Sequence, residues 1–253
     1  MSLDIYRHDE YVVGDVSEVK DKINEYGVAI VEGVLNDEEL KNMNEGMFDY
    51  LEHITQNFKV PITRDNEDSW KEYSKLYPKH SMLLQNWKVG HSQFIWNVRQ
   101  NSKVCDVFSN IWDVGKEDLL TSFDGASFHF PHEVVKKGWF RNEWFHTDQR
   151  FANNDFSCIQ AWVTGYDVEH GDATLSFLEK SNNFHKQFSD DYNMKDHKDF
   201  KKDWFKINPE QVQYFIDKGC ERRCVTCKAG SMVLWDSRLM HCGKEPIKER
   251  ENK

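Results

Sequence analysis

The amino-acid sequence predicts a mainly β protein with flanking helices, in which a helical layer packs on an antiparallel sandwich or barrel. Two observations support this fold class. Amphipathic helical patterns come first, and from about residue 118 the chain changes to short segments rich in β-branched and aromatic residues. Strands and helices do not alternate regularly, which argues against a parallel α/β sheet.

The helical layer is predicted from three stretches of the first half of the chain. Residues 15–28 place apolar side chains at helical spacing behind Asp15, a candidate N-cap. The apolar run 27–35 predicts a short buried strand. Asn36 is then expected to cap a long amphipathic helix, and residues 102–112 form another helix by the same test.

The β part is predicted from six short segments separated by turn residues. They are residues 118–125, 144–151, 156–168, 173–179, 221–230 and 231–237. A long polar insertion between them, residues 181–219, is expected to be helix plus loop.

The 253 residues contain no repeat, low-complexity tract or Gly/Ser linker. We therefore predict a single domain over residues 1–253, a length ample for a sizeable core. Residues 1–117 are expected to form a helical buttress and the first strands, and residues 118–253 the β core.

The composition argues against nucleic acid and membrane as binding partners of this protein. A formal net charge of −10 argues against a general nucleic-acid binder, because neutralising phosphates requires clustered Lys and Arg. No apolar stretch approaches the ~20 residues of a membrane span, and the N-terminus lacks the pattern of a secretory signal. We expect a cytoplasmic protein that acts on a small molecule, and the sequence leaves its oligomeric state open.

Three cysteines, Cys220, Cys224 and Cys227, have the spacing with which radical enzymes hold an iron–sulfur cluster. Their position argues against that site, because those enzymes place the motif early in a barrel and only 26 residues follow Cys227 here. A structural zinc site that includes Cys242 needs a fourth ligand. Ordinary reduced thiols are the preferred interpretation.

A histidine and an acidic residue one position apart occur four times, at His8/Glu10, His146/Asp148, His170/Asp172 and His197/Asp199. This spacing decides little in a chain with 11 histidines and 43 acidic residues. The first and last pairs lie in charged segments typical of solvated surface, and Gly171 places the third in a turn. Only His146 and Asp148 lie in a strand-like, aromatic-rich stretch.

In a strand, His146 and Asp148 project to the same face, where an imidazole and a carboxylate can take adjacent positions on a metal. His241, which follows the apolar run 231–235, is the best third ligand. Two histidines and one carboxylate leave three adjacent positions open on Fe(II), as an oxygenase requires. Arg250 has the planar fork that grips a carboxylate such as that of 2-oxoglutarate.

The arrangement H-x-D, H and R, with "GSMVLWDSRLMHCG" around the second histidine, resembles the phytanoyl-CoA dioxygenase-like branch of the Fe(II)/2-oxoglutarate-dependent oxygenases. "SFDGASFHFP" resembles the strand and proline turn before the metal strand of that family, and "HTDQ" a common form of its first metal motif. Residues 157–188 resemble its next two strands. The resemblance covers residues 118–253 well and the N-terminal helices loosely. It implies a double-stranded β-helix, the jelly roll of cupin-like proteins.

The resemblance also implies roles for individual residues. His146, Asp148 and His241 look like the iron ligands, and Arg250 like the residue that pairs with the distal carboxylate of 2-oxoglutarate. Around the co-substrate it implies Trp162, Gln160 on the same strand face, and Ser237, which with Arg238 is expected to support the second histidine. The implied cofactor is Fe(II), with 2-oxoglutarate and O2 as co-substrates.

Two departures from the family pattern concern its loops and its end. The usual "PGSH" is replaced by "EKSN" at residues 179–182. Only three residues follow Arg250, where the family continues a β-strand. Either a C-terminal piece is missing or Arg250 lies at a frayed end.

The implied reaction is hydroxylation, or a related oxidation, of a small organic substrate, with succinate and CO2 as co-products. Asp148 is present, which disfavours halogenation, because halogenating members replace this carboxylate by a small residue. Two alternatives keep the fold. One is a cupin-like metal-dependent enzyme that does not use 2-oxoglutarate, and the other is a non-catalytic jelly-roll binding module.

Overall fold

The computed structural model describes residues 5–80, 82–131, 133–135 and 144–247. The described residues fall into two compact units. The first contains those within 1–33, 142–170 and 174–244, and the second those within 34–141, 171–173 and 245–253. The first unit therefore combines N-terminal segments with most of the segments predicted to form the β core. The single-domain organisation stays a prediction.

The described α-helices are α1 (Val19–Tyr26), α2 (Asp37–Thr55), α3 (Gln93–Arg99), α4 (Ser102–Trp112), α5 (His185–Asp191) and α6 (Pro209–Asp217). The predicted helices over 15–28 and 102–112 are confirmed as α1, which follows a 3₁₀ turn, and α4. Asn36 caps α2 as predicted. Its side chain accepts from the Glu39 N–H while the Glu39 carboxylate accepts from the Asn36 N–H, a capping box that satisfies two terminal donors.

The described strands are β1 (Ile5–Arg7), β2 (Val28–Val31), β3 (Leu83–Leu84), β4 (Ala126–Ser127), β5 (His146–Thr147), β6 (Ile159–Val163), β7 (Thr174–Leu178), β8 (Phe205–Lys206), β9 (Arg222–Val225), β10 (Met232–Asp236) and β11 (His241–Lys244). Five of the six predicted β segments contain a strand. Residues 118–125 do not, and Leu120 and Phe123 in this stretch are exposed. An isolated segment without a partner or a buried face does not satisfy the backbone groups of a strand.

Two sheets form the centre of the first unit. Six strands pair in the order β1-β9-β7-β11-β5-β8, and three pair in the order β2-β10-β6. β1 runs parallel to β9, and the other pairs are antiparallel. The insertion 181–219, expected to be helix and loop, contributes α5 and α6 and also the edge strand β8.

The core of this unit lies between the two sheets. Val28, Val233 and Trp235 of the small sheet pack with Phe177 and Val225 of the large one, and all five are buried. Residues two apart along β2, β7 and β10 share this inner face, as is expected for the strands of a sandwich. Residues at the ends of these strands whose side chains also point to the inner face can therefore form a site within the sandwich.

The second unit is mainly helical. α2 packs on α3 so closely that a Cβ on Gly46 would lie 2.7 Å from the Cβ of Phe94. Tyr73 packs against Phe128 and Phe130, with ring centroids 5.5 and 5.3 Å away. Among the residues that the structure describes, no helix of either unit is long and apolar enough to cross a bilayer.

Candidate metal centre

Strand register brings the two candidate histidines together. β5 pairs with β11 so that His146 lies directly opposite His241. Side chains of directly opposite residues point to the same face of a sheet, about 5 Å apart at Cβ. The ring centroids of the two histidines are 4.4 Å apart. Asp148 follows β5 and reaches the same point from two residues further along.

The three side chains converge on one carboxylate oxygen. Asp148 Oδ2 lies 3.4 Å from His146 Nε2 and 3.3 Å from His241 Nε2. Both imidazoles are buried, and the Asp148 side chain is 23% exposed. Within the described part of the chain, this is the one group of three metal-ligating side chains that converge, with the ligand atoms within 4.8 Å of one another.

The backbone fixes the tautomer of both histidines. His146 Nδ1 lies 3.1 Å from the Trp144 carbonyl, and His241 Nδ1 lies 2.9 Å from the Leu239 carbonyl. A carbonyl oxygen only accepts, so both Nδ1 atoms carry hydrogen and the neutral rings turn their Nε2 lone pairs inward. Two lone pairs and a carboxylate facing one another repel unless a cation or a proton lies among them. The donor set therefore fits a divalent metal.

The surroundings of the site favour an ionised Asp148 carboxylate and a neutral His146 ring. Burial by itself raises the pKa of Asp148, but the two imidazoles beside it outweigh burial and hold the pKa well below its usual range. Burial, and then the neighbouring His241, lower the pKa of His146. A metal needs its ligands in these deprotonated forms.

The turn between β10 and β11, which is held by hydrogen bonds and an ion pair, positions His241. The Asp236 carboxylate, which is fully buried, accepts from the Arg238 backbone N–H at 2.8 Å and from the Arg238 guanidinium at 2.6 Å. Arg238 also donates to the Asn154 carbonyl at 2.8 Å. Leu239 in the same turn packs against Gly27, at which an added Cβ would lie 2.4 Å from the leucine Cδ1.

A second set of hydrogen bonds holds the loop after β5. The Ser237 carbonyl accepts from the Asp148 N–H and from the Thr147 hydroxyl, both at 2.9 Å. The Ser237 hydroxyl donates to Gln149 Oε1 at 2.7 Å, and the Gln149 amide donates to the carbonyls of Asn153 and Asp155. Ser237 is fully buried, and its hydrogen bonds hold residues 147–149 in place. Co-substrate binding by Ser237 stays a prediction.

Gln160 and Trp162 lie on β6 and face inward, as the strand period predicts. Gln160 Nε2 donates to Asp148 Oδ2 at 2.9 Å. The Gln160 amide therefore contacts a candidate metal ligand. Trp162 is half-buried and packs against the core between the sheets. Their proposed contact with a co-substrate stays a prediction, and Arg250 lies outside the described residues.

Within the described residues, the cysteines form no comparable site. Cys220, Cys224, Cys227 and Cys242 are buried, and none of the six cysteines forms a disulfide. Burial raises the pKa of the Cys220 and Cys227 thiols to about 12, which disfavours the thiolate that binds metals. Among the described residues no metal-ligating group includes them, and their assignment as ordinary thiols stays a prediction.

Three tryptophans lie around the candidate histidines, and of these Trp204 has no role predicted from the sequence. Trp144 stacks on His146 with ring centroids 4.8 Å apart and a 13° interplanar angle, and Trp204, which is 48% exposed, lies 5.6 Å from the same ring. Trp235 Nε1 donates to His241 Nε2 at 3.2 Å. Trp144 precedes His146 by two residues and stacks on it, whereas Trp235 reaches His241 from the other sheet and the long insertion hides the placement of Trp204 from any sequence pattern.

A family model described as phytanoyl-CoA dioxygenase (PhyH) matches residues 23–245. A curated Aspergillus versicolor protein, "Ava biosynthesis cluster protein O", is 24% identical over 229 residues, which are 88% of this chain and 70% of that protein.

Solved structures with low sequence identity have a similar fold. The epimerase SnoN, solved with Fe3+, alpha ketoglutarate and nogalamycin RO, has a TM-score of 0.50 and 13% identity over 94% of this chain and 79% of its own. A Candida albicans protein, GlcNAc Inducible Gene 2, has a TM-score of 0.50 and 12% identity. The match covers 96% of this chain, which spans 62% of the Candida chain. The likeness confirms the jelly-roll prediction.

Proposed function

This chain belongs to the phytanoyl-CoA dioxygenase family, and from that premise we propose that it hydroxylates, or otherwise oxidises, a small organic substrate with succinate and CO2 as co-products. Members of the family use Fe(II), 2-oxoglutarate and O2, so the chain is an Fe(II)/2-oxoglutarate-dependent oxygenase. The observation that carries the proposal for this chain is the convergence of two imidazole lone pairs on one carboxylate oxygen.

His146, Asp148 and His241 are the proposed iron ligands. These three residues would hold Fe(II), which would supply the oxidation chemistry with 2-oxoglutarate and O2. The chain contributes neutral imidazoles, held by the Trp144 and Leu239 carbonyls, and an ionised carboxylate. Burial of the two histidines excludes bulk water from that side of the site, which strengthens every polar interaction there.

The proposed co-substrate contacts are Arg250 for the distal carboxylate, with Trp162, Gln160 and Ser237 nearby. Arg250 is the residue that separates the main proposal from a cupin-like enzyme that needs no 2-oxoglutarate. If Arg250→Ala loses 2-oxoglutarate turnover but keeps Fe(II) binding, the main proposal is supported. Iron-dependent activity that is indifferent to both Arg250→Ala and 2-oxoglutarate would favour the cupin-like alternative.

The substrate is proposed to be a small molecule that reaches the ligands beside Trp204. This ring is half-exposed next to His146, and an indole face in that position can pack against an apolar part of a substrate. A cytoplasmic location stays a prediction from the sequence.

The test is anaerobic reconstitution with Fe(II), followed by addition of 2-oxoglutarate and O2 and measurement of succinate. We expect slow succinate formation without added substrate, and its loss in His241→Ala. A folded wild-type protein that binds no Fe(II), and makes no succinate with a broad substrate panel, would favour the non-catalytic binding module.

A further inference from the structure

Two side chains beside the candidate ligands come from directly opposite positions of neighbouring strands. β10 pairs with β6 so that Trp235 faces Gln160 across the ladder. Each donates one hydrogen bond to the metal centre, Gln160 to Asp148 Oδ2 and Trp235 to His241 Nε2. Side chains of opposite residues lie within reach of each other on the same sheet face.

Gln160 has an unused acceptor. The Asp148 carboxylate can only accept, so the Gln160 amide must turn its NH2 group toward it, which fixes the orientation of the amide. The Gln160 Oε1 atom is then buried, and it has no hydrogen-bond partner among the described residues. Burying an acceptor that makes no hydrogen bond costs free energy, so a donor within reach should bind to it.

Trp235 loses its acceptor when a metal binds. His241 Nε2 has a single lone pair, which accepts from the Trp235 indole N–H at 3.2 Å. A metal at Nε2 takes that lone pair. Trp235 is 9% exposed, so the released N–H is poorly placed to find bulk water.

We propose that metal binding transfers the Trp235 hydrogen bond from His241 Nε2 to Gln160 Oε1. The transfer completes a chain from Trp235 through Gln160 to the Asp148 oxygen that faces both histidines. Trp235 and Gln160 are then positioning residues. The hydrogen bond from Trp235 to Gln160 forms only when the metal is bound, and the pair then holds the Asp148 oxygen in place. The inference rests on the proposed metal centre.

The exchange pairs Gln160 Oε1, which has no hydrogen-bond partner among the described residues, with the Trp235 N–H, which loses its acceptor when the metal binds. Both residues belong to the same cross-strand pair. It moves no backbone, because the two residues already face each other in the ladder. It also explains why a tryptophan rather than a phenylalanine is useful at position 235, since only the indole has a donor.

Zinc affinity in a double-mutant cycle tests the proposal without turnover. Outer-shell partners of metal ligands typically change metal affinity about 10–100-fold when removed. We expect Gln160→Leu to weaken Zn²⁺ binding about 10-fold or more, and Trp235→Phe to weaken it several-fold. In the Gln160→Leu background, Trp235→Phe should strengthen Zn²⁺ binding, because the indole N–H there has no acceptor once the metal takes the His241 lone pair. Gln213→Leu on exposed α6 is the matched control.

Indole N–H signals in ¹⁵N NMR spectra report the exchange itself. One indole signal, absent in Trp235→Phe, should shift on Zn²⁺ addition, and in Gln160→Leu the loaded signal should lie elsewhere and exchange faster with water. Independent, multiplicative losses of affinity, or a loaded Trp235 signal unchanged by Gln160→Leu, would overturn the exchange. Zinc binding that is absent or insensitive to His241→Ala would instead overturn the metal centre.

Discussion

His146-x-Asp148 and His197-x-Asp199 have the same spacing but opposite surroundings. The first pair is largely buried, and His241 lies within 3.3 Å of its carboxylate. In the second, the histidine side chain is 41% exposed, its Nδ1 lies 3.8 Å from the carboxylate, and Lys202 pairs with Asp199. His197 Nδ1 accepts from the Asp199 N–H, whereas the Nδ1 atoms of His146 and His241 face carbonyls.

The difference shows that a strand register, and not the local motif, makes the candidate metal centre. β5 is only two residues long, yet it lies between β11 and β8 and so places His146 opposite His241. His197 follows a 3₁₀ turn in the polar insertion, where no described strand brings a third ligand. Four predictions use this comparison, beginning with the largest expected effect.

Asp148→Ala should weaken Fe(II) or Zn²⁺ binding by more than about 100-fold, because loss of a direct ligand exceeds the effect of an outer-shell partner. Asp199→Ala, with the same local spacing, should leave metal affinity unchanged. Anaerobic equilibrium titration of both variants measures this. Equal losses in the two variants would mean that the buried pair has no special role.

Arg238→Ala should lower the free energy of unfolding by about 3–5 kcal/mol, because it leaves the fully buried Asp236 carboxylate without its partner. Lys202→Ala removes the exposed partner of Asp199 and should have no measurable effect. Urea unfolding of the two variants gives the comparison. Arg238→Ala as stable as the wild type would show that the turn before His241 does not depend on this ion pair.

Gly27→Ala should cost about 3 kcal/mol of unfolding free energy. Its φ of 87° is strained for a side chain, and the added Cβ would meet Leu239 at 2.4 Å in the turn that delivers His241. Gly219→Ala is the control, because its φ is +88° but nothing lies within 4 Å, so only about 1–2 kcal/mol is expected. Equal costs at both sites would exclude a contribution from Leu239.

His185 should make the fold less stable in acid. Burial lowers its pKa to about 4, and it packs on Phe151 beside the loop after β5. Between pH 6.5 and 4 the unfolded chain binds a proton that the folded chain does not, so stability falls as pH falls through this window. Between pH 7 and 4.5, His185 should contribute a loss of about 2 kcal/mol.

The His185 contribution is measured by comparing urea unfolding of the wild type and His185→Gln at both pH values. All other titrating groups are common to the two proteins, so the difference belongs to His185. A pH dependence that is the same in both would show that His185 titrates alike in the folded and unfolded chains.

Much of this architecture follows from local patterns. The cap at Asn36, helix α4 and most strand segments were predictable because capping side chains and apolar periodicity act over a few residues. The sequence pattern and the family resemblance both indicated His241 as the third ligand, but the register that places it opposite His146 was not predictable, since register is a long-range property. The bonds from Gln160 and Trp235 were not predictable, because they depend on side-chain orientation across a ladder.

The most direct test of the metal centre is a crystal structure of the protein loaded anaerobically with Fe(II) and 2-oxoglutarate. We predict iron bound by the Nε2 atoms of His146 and His241 and by Asp148 Oδ2, with no metal at His197 and Asp199. Iron bound elsewhere, or a triad that stays empty at saturating Fe(II), would contradict the account.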